Sequence, residues 1–422
     1  MCSSGKRLFA REKHDAVSGH LRYIMENPKN SAIWLTVDRL HIGFLGPYGN
    51  AWIETPTLNA LASRAVVFDR FYVSSLKEGS AARTFAVQPD FRLGFLEGLH
   101  ESGVSTLLLT DDPELFQAGD LFGERFLIDI PERVHPVRDR EQTHFFRMIA
   151  ELVALAERHE NNRFFLWTHL SGLGKTWDCP PAYRERYREE DDPAPHGGAT
   201  PPFLDCRRLR EEEVDPDEIQ SIVETYAGMI SLFDESLGGL LESLEEKERK
   251  TLFLLHSMRG IPMGEHRVAG SFADPQEEAS HGYSEMTHLP LFLRLPDTAG
   301  SACRSSALAC LDAIPATLSE WFQVDGYPDG NPGVLPHAEQ PAPRFQSLLP
   351  VASGEKEMLC DALSIDETVL VTPDWLLCRG ASDAVELYKK PDDRWEVNDV
   401  ARRCREIVEE LSPLLGGSSK TD

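Results

Sequence analysis

The chain has 422 residues, enough for one large domain with a smaller appendage, and its 41% hydrophobic content suffices for a proper core. Its formal charge of -26, from 69 acidic against 43 basic residues, repels polyanions and argues against nucleic acid, anionic membrane and polyanionic substrates as general partners. The eight cysteines (Cys2, Cys179, Cys206, Cys303, Cys310, Cys360, Cys378, Cys404) form no C-x-x-C pair and no Cys/His cluster at zinc spacing, so reduced thiols are expected, without a disulfide framework or structural metal.

Residues 1–30 are polar and weakly helical around Asp15 to Met25, which suggests an N-terminal extension. They contain basic residues but no continuous apolar h-region, and no later segment reaches a membrane-spanning length, so a cytoplasmic protein is expected. Ser31 to Val37 is an apolar, β-rich run ending on Asp38, with turn residues at Gly46, Pro47, Gly49 and Asn50. Such a run predicts a buried strand delivering a carboxylate to its C-terminal end, where open α/β sheets place their ligands. Pro56 and Thr57 open a helix with Leu58, Leu61, Ala62 and Ala65 at helical spacing, and Val66 to Phe68 resumes an extended run.

Phe91 to Glu101 reads as helix, Gly103 to Thr110 as a second core strand, His144 to Arg158 as an amphipathic helix and Arg163 to Leu170 as a buried strand. Glu189 to Asp217 is rich in Pro, Gly and charge and reads as a long surface loop. Asp217 to Lys247 is the clearest helix, with Ile222, Tyr226, Met229, Ile230, Phe233, Leu237, Leu240, Leu241 and Leu244 on one face. Thr251 to His256 is the next core strand, Tyr327 to Gly354 a Pro- and Gly-rich linker, and Val400 to Leu415 a final helix. No internal repeat and no dinucleotide-binding Gly-rich loop is visible, so a nucleotide cofactor is unsupported.

Five pieces between Ser31 and Arg83 recur in a fixed order: the strand ending in Asp38, L-x-x-x-x-x-G-x-Y-G-N, T-P-x-L-x-x-L-A, F-x-x-x-Y-V-x-S, and a short small-residue loop closed by Arg83. Together they resemble the sulfatases of the alkaline phosphatase superfamily, and the resemblance continues to about residue 415. It implies an α/β sandwich with a central, mostly parallel sheet flanked by helices over residues 31–345. A small C-terminal antiparallel sheet-plus-helix subdomain is implied over residues 346–422.

A sulfatase stabilises an anionic sulfuryl group with a divalent cation such as calcium and attacks it with a formylglycine made from the Cys or Ser of C-x-P-x-R. The resemblance aligns these positions one by one. The two adjacent Asp ligands that commonly end the first strand become Asp38 and Arg39, and the Arg of C-x-P-x-R becomes Arg83, which places Gly79, a residue with nothing to oxidise, at the nucleophile. The Lys of G-K-W-H falls at Asp111, and the His of D-P-H-x-P falls near Gly174. The ligands of S-D-H/N-G-x-x-x-G-E-H become Met258 and Arg259 within SMRGIPMGEH. A thioether is a poor ligand for a hard cation and a guanidinium is none, so no metal and no cofactor is expected.

Arg39 and Arg259 are consequently expected near Asp38, supplying the missing cationic charge. Lys77, with Arg83, is a candidate anion contact in the remnant pocket, and Ser80 and Thr84 flank the old nucleophile position. His256, His266, His281 and His288 gather in the second half and suggest a metal site, with ordinary core or surface histidines as the simpler reading and Glu285 as a scaffold acid. The functional expectation is a catalytically degenerate sulfatase homologue with a binding or scaffolding role, its partner a protein or an oligomer with an active paralogue. The alternative is a divergent hydrolase of sulfate or phosphate esters with a rebuilt site.

Overall fold

The computed structural model describes residues 30–76, 82, 86–88, 90–130, 135–196, 199–204, 215–246, 251–272, 274–296, 301–324, 346–380 and 384–415. The expected N-terminal extension lies outside these residues. The strands are β1 (Ser31–Val37), β2 (Val66–Tyr72), β3 (Ser105–Thr110), β4 (Glu124–Leu127), β5 (Phe164–Leu170), β6 (Phe203–Leu204), β7 (Thr251–Ser257), β8 (Ser271–Phe272), β9 (His288–Arg294) and β10 (Cys303–Cys310). A second group comprises β11 (Leu363–Ile365), β12 (Val369–Val371), β13 (Trp375–Arg379) and β14 (Val385–Lys389).

Eight strands form the central sheet in the order β10-β2-β9-β7-β1-β5-β3-β4. Every neighbouring pair is parallel except those made by β9, which runs against both β2 and β7. All seven residues of β1 are buried, because helices cover both faces of a parallel sheet. Side chains alternate across it. Ala32 and Trp34 enter one core with Phe91, Trp167 and Trp321, while Ile33, Leu35 and Val37 enter a second core with Phe145, Tyr226 and Phe233.

The helix Pro216–Glu246 buries its Ile222-to-Leu244 face in the second core, and His144–Arg158 packs beside it. The expected helix at Phe91 to Glu101 is present but is wound as a π-helix over Asp90–Leu96 before continuing as α over Glu97–Glu101. The wider winding brings Phe91, Phe95 and Leu96 into the core together. The stretch expected as loop from Glu189 to Asp217 also contributes a strand: β6 pairs with β8.

The four late strands form a separate antiparallel sheet in sequence order. Its alternation is equally informative. Val369, Val371, Leu376 and Tyr388 join the Trp34 core, whereas Leu370, Leu377 and Leu387 face Leu411 and Leu415 of the helix Arg405–Leu415. That helix is shorter than the Val400 start expected, since residues 401–403 form a turn before it. Among the described residues no helix is long and apolar enough to cross a membrane.

Candidate functional site

Because β7, β1, β5 and β3 are adjacent and parallel, their C-terminal ends emerge on one side. The next residues are Met258-Arg259, Asp38-Arg39, Ser171 and Asp111. Backbone and hydroxyl bonds hold these ends together. The Asp38 amide donates to the Leu170 carbonyl at 2.8 Å. Ser257 Oγ accepts from the Leu40 amide at 3.0 Å and lies 2.9 Å from the Val37 carbonyl and 2.6 Å from the Arg259 carbonyl. Tyr226, from the long helix, donates to the Arg39 carbonyl at 2.7 Å and accepts from the His41 amide at 2.9 Å.

Within this frame four charged side chains form one continuous chain of ion pairs. Arg259 Nε stands 3.3 Å from Asp38 Oδ1, and its Nη1 donates to Glu278 Oε1 at 2.9 Å. Arg39 Nη2 donates to the same Glu278 oxygen at 2.7 Å. Arg39 therefore lies in the charge cluster as expected, but it answers Glu278 and not Asp38 directly. Glu278 carries no family motif. It sits one turn into the helix Pro275–Ser280, which Asp274 starts by accepting from the Gln276 amide at 2.8 Å. Arg39 Nη1 is also buried, with no hydrogen-bond partner among the described residues.

The electrostatics match this arrangement. Burial alone would raise the Asp38 carboxyl, but Arg259 and then Arg39 hold it below the ordinary carboxylate value. Arg39 is lowered, by burial first and by the like charge of Arg259 second, against the pull of Glu278 and Asp38. Burial also opposes the charge of Arg259, yet Asp38 and Glu278 together raise it.

The remaining aligned positions are taken up by structure. Asp111 is buried; its Oδ1 accepts from the Ser171 amide at 2.8 Å, and its carbonyl accepts from Lys175 Nζ at 3.1 Å. A Cβ on Gly174 would stand 3.1 Å from Asp38 Oδ2 and 3.3 Å from the Arg39 side chain, so the backbone lies directly against the pair. Beneath this turn, His144 and Asp178 form a fully buried pair, Nδ1 to Oδ1 3.0 Å, that sequence spacing does not reveal. Met258 is 1% exposed and lies in the Trp34 core.

A calcium ion needs several oxygen ligands. Of the four aligned ligand positions only Asp38 offers one, and Arg259 engages its Oδ1. The residues present do not fit such an ion. Gly79, Arg83, Lys77, Ser80 and Thr84 lie outside the described residues.

The four histidines separate. His256 is buried, its Nε2 accepting from Trp34 Nε1 at 2.7 Å and its Nδ1 donating to the Ser257 carbonyl at 2.7 Å. His288 stacks on Tyr72 with ring centroids 4.7 Å apart and bonds the Asp69 carbonyl at 2.8 Å. His266 and His281 meet on the two oxygens of Glu285.

Solved structures share this architecture. The phosphonate monoester hydrolase of Agrobacterium radiobacter is 16% identical, with a TM-score of 0.67 over 91% of this chain and 94% of that one. A protein solved in complex with its substrate D-glucosamine-2-N,6-O-disulfate is 16% identical, with a TM-score of 0.66 over 91% and 96%. The phosphonate monoester hydrolase of Silicibacter pomeroyi is 15% identical, with a TM-score of 0.61 over 90% and 95%. At such identities the likeness is one of fold. No curated protein matches the sequence. The family model described as Sulfatase matches residues 115–324, which carry β5, the long helix, β7 and the Arg259 segment. With that match, the chain belongs to the sulfatase family.

Proposed function

We propose that this sulfatase-family chain does not carry out formylglycine sulfatase chemistry and serves in binding or scaffolding, with a protein partner such as an active paralogue. The observation that supports this most is the ion-pair chain Asp38–Arg259–Glu278–Arg39, which fills with guanidinium groups the place where the family resemblance puts a divalent cation. Losing one electrostatic donor from such a site costs on the order of 3 kcal/mol of transition-state stabilisation. Several are replaced here, and Gly79 has no side chain for the nucleophile. In this reading the protein works in the cytoplasm, a place consistent with the free thiols of Cys179, Cys303, Cys360, Cys378 and Cys404.

The test is an assay of the purified full chain on aryl sulfate, aryl phosphate and aryl phosphonate esters, together with calcium analysis. No turnover and no stoichiometric calcium are expected. Turnover abolished by Asp38→Ala, or one equivalent of calcium released by that substitution, overturns the reading and favours a divergent ester hydrolase.

A further inference from the structure

Glu285 is 1% exposed, and its carboxylate is held between two imidazoles. Oε2 stands 2.6 Å from His266 Nδ1 and Oε1 stands 2.7 Å from His281 Nε2. The other nitrogen of His266, Nε2, lies 3.2 Å from the Glu396 backbone carbonyl. A carbonyl only accepts, so the His266 proton belongs on Nε2, and the Nδ1 lone pair is aimed at a carboxylate oxygen. Two electron-rich atoms at 2.6 Å repel unless a positive centre lies between them. A second proton on the ring supplies one; a metal ion supplies another.

The surroundings favour an ion. The donor atoms of His266, His281 and Glu285 all lie within 4.8 Å of one another, close enough for one cation to reach all three. They are also held in place. His266 stacks on Tyr283 with centroids 3.6 Å apart and planes 5° from parallel, and His281 packs between Tyr283 and Phe272. His281 and Glu285 are four residues apart, joined by the turn into the short helix Ser284–Thr287. The Glu396 carbonyl that orients His266 belongs to a residue whose own carboxylate is fixed by Lys390 and by the Ser284 amide at 3.2 Å. An outer carbonyl that fixes a histidine tautomer is the usual support for a metal-ligating imidazole.

We propose that His266 Nδ1, His281 Nε2 and Glu285 bind a divalent transition ion with a preference for imidazole, zinc above all. Two imidazoles and a carboxylate suit zinc and not calcium or magnesium, and three protein ligands leave a fourth position open. Donors around a tetrahedral zinc lie about 3.4 Å apart, so the two short contacts open by roughly 0.7 Å on binding. This trio is separate from the Asp38 cluster in donor chemistry. It shares its loop, for His281 caps the helix that carries Glu278.

The experiment strips the purified full chain with a chelator and titrates it with zinc, and separately with cobalt, following the visible cobalt absorption. One equivalent is expected for each metal, with the intense cobalt band of a four- or five-coordinate site and no competition from excess calcium. His281→Gln keeps a donor toward Glu285 and should leave the circular dichroism spectrum unchanged while abolishing stoichiometric binding. His159→Ala, at the C-terminal cap of the helix His144–Arg158 and outside the trio, should bind as the wild type does. If folded wild-type protein takes up no zinc, the positive centre is the second proton on His266 and the proposal falls. It falls equally if His281→Gln binds undiminished.

Discussion

Asp38 Oδ1 and Arg259 Nε lie 3.3 Å apart, and Arg259 continues to Glu278 at 2.9 Å, so the carboxylate at the end of β1 is met by a cation from the end of β7. Glu278 is the member on which both guanidiniums converge. Glu278→Ala leaves two arginines facing one carboxylate and should lower stability by about 3 kcal/mol in urea denaturation, since a partner removed from a buried pair leaves its charge uncompensated. The double variant Arg39→Met, Glu278→Leu removes a matched pair and should recover most of that loss. A Glu278→Ala protein as stable as wild type would show that the cluster is solvated.

Rebuilding the aligned ligands tests the same site from the other direction. Arg39→Asp, Met258→Asp and Arg259→Asn together restore oxygen donors around Asp38 and remove both guanidiniums from it. The triple variant should gain a calcium-dependent rise in melting temperature that the wild type lacks. Met258 points into the core, so an absent response with an intact fold would place the strand ends too far from the family's geometry.

A pH dependence follows from His256, whose burial lowers it from 6.5 to about 4. Above pH 6.5 the ring is neutral in both folded and unfolded chains and costs nothing. As pH falls from 6.5 towards 4 the unfolded chain takes up a proton that the folded one refuses, so stability declines across that window and levels off below it. The loss is on the order of 3 kcal/mol. His256→Gln, which keeps an acceptor for Trp34, should flatten this part of the denaturation-midpoint profile. Asp38 contributes in a lower window, since its stabilisation is lost as pH falls below 3.8 and through its depressed value.

Two glycines should respond unequally. A Cβ on Gly260 would sit 1.8 Å from the Glu285 carbonyl oxygen, a backbone atom that cannot swing aside. Gly260→Ala should therefore cost at least ~3 kcal/mol or prevent folding. Gly174→Ala meets Asp38 and Arg39 side chains at 3.1 to 3.3 Å and should cost about 1 kcal/mol. Paired thermal melts decide between them.

Much of the fold is legible in the sequence because its signals are local. β1 is an unbroken apolar run stopped by Asp38, and the helix Pro216–Glu246 keeps one apolar face for its whole length. The motifs that carry the family resemblance lie between Ser31 and Arg83, whereas the family model matches residues 115–324, in the middle of the chain. The ion-pair chain was only half legible. Arg39 and Arg259 stand out because they replace expected ligands, but Glu278 lies in PQEEAS among other acids, and nothing in its spacing marks it as the buried one. His144 and Asp178 are likewise joined only by the fold, 34 positions apart.

Arg39 has φ 62°, one of the described non-glycine residues in the left-handed region. That conformation penalises most side chains by about 1 kcal/mol and is tolerated best by asparagine and aspartate. Tyr226, bonded on both sides of the turn, fastens the chain there whatever side chain position 39 carries. The arginine thus occupies a backbone shape better suited to a short acidic or amide residue. Arg39→Asn should relax the backbone while removing the charge, so its measured effect will understate what the guanidinium contributes to the cluster, and Arg39→Met, equally strained, is the fairer reference.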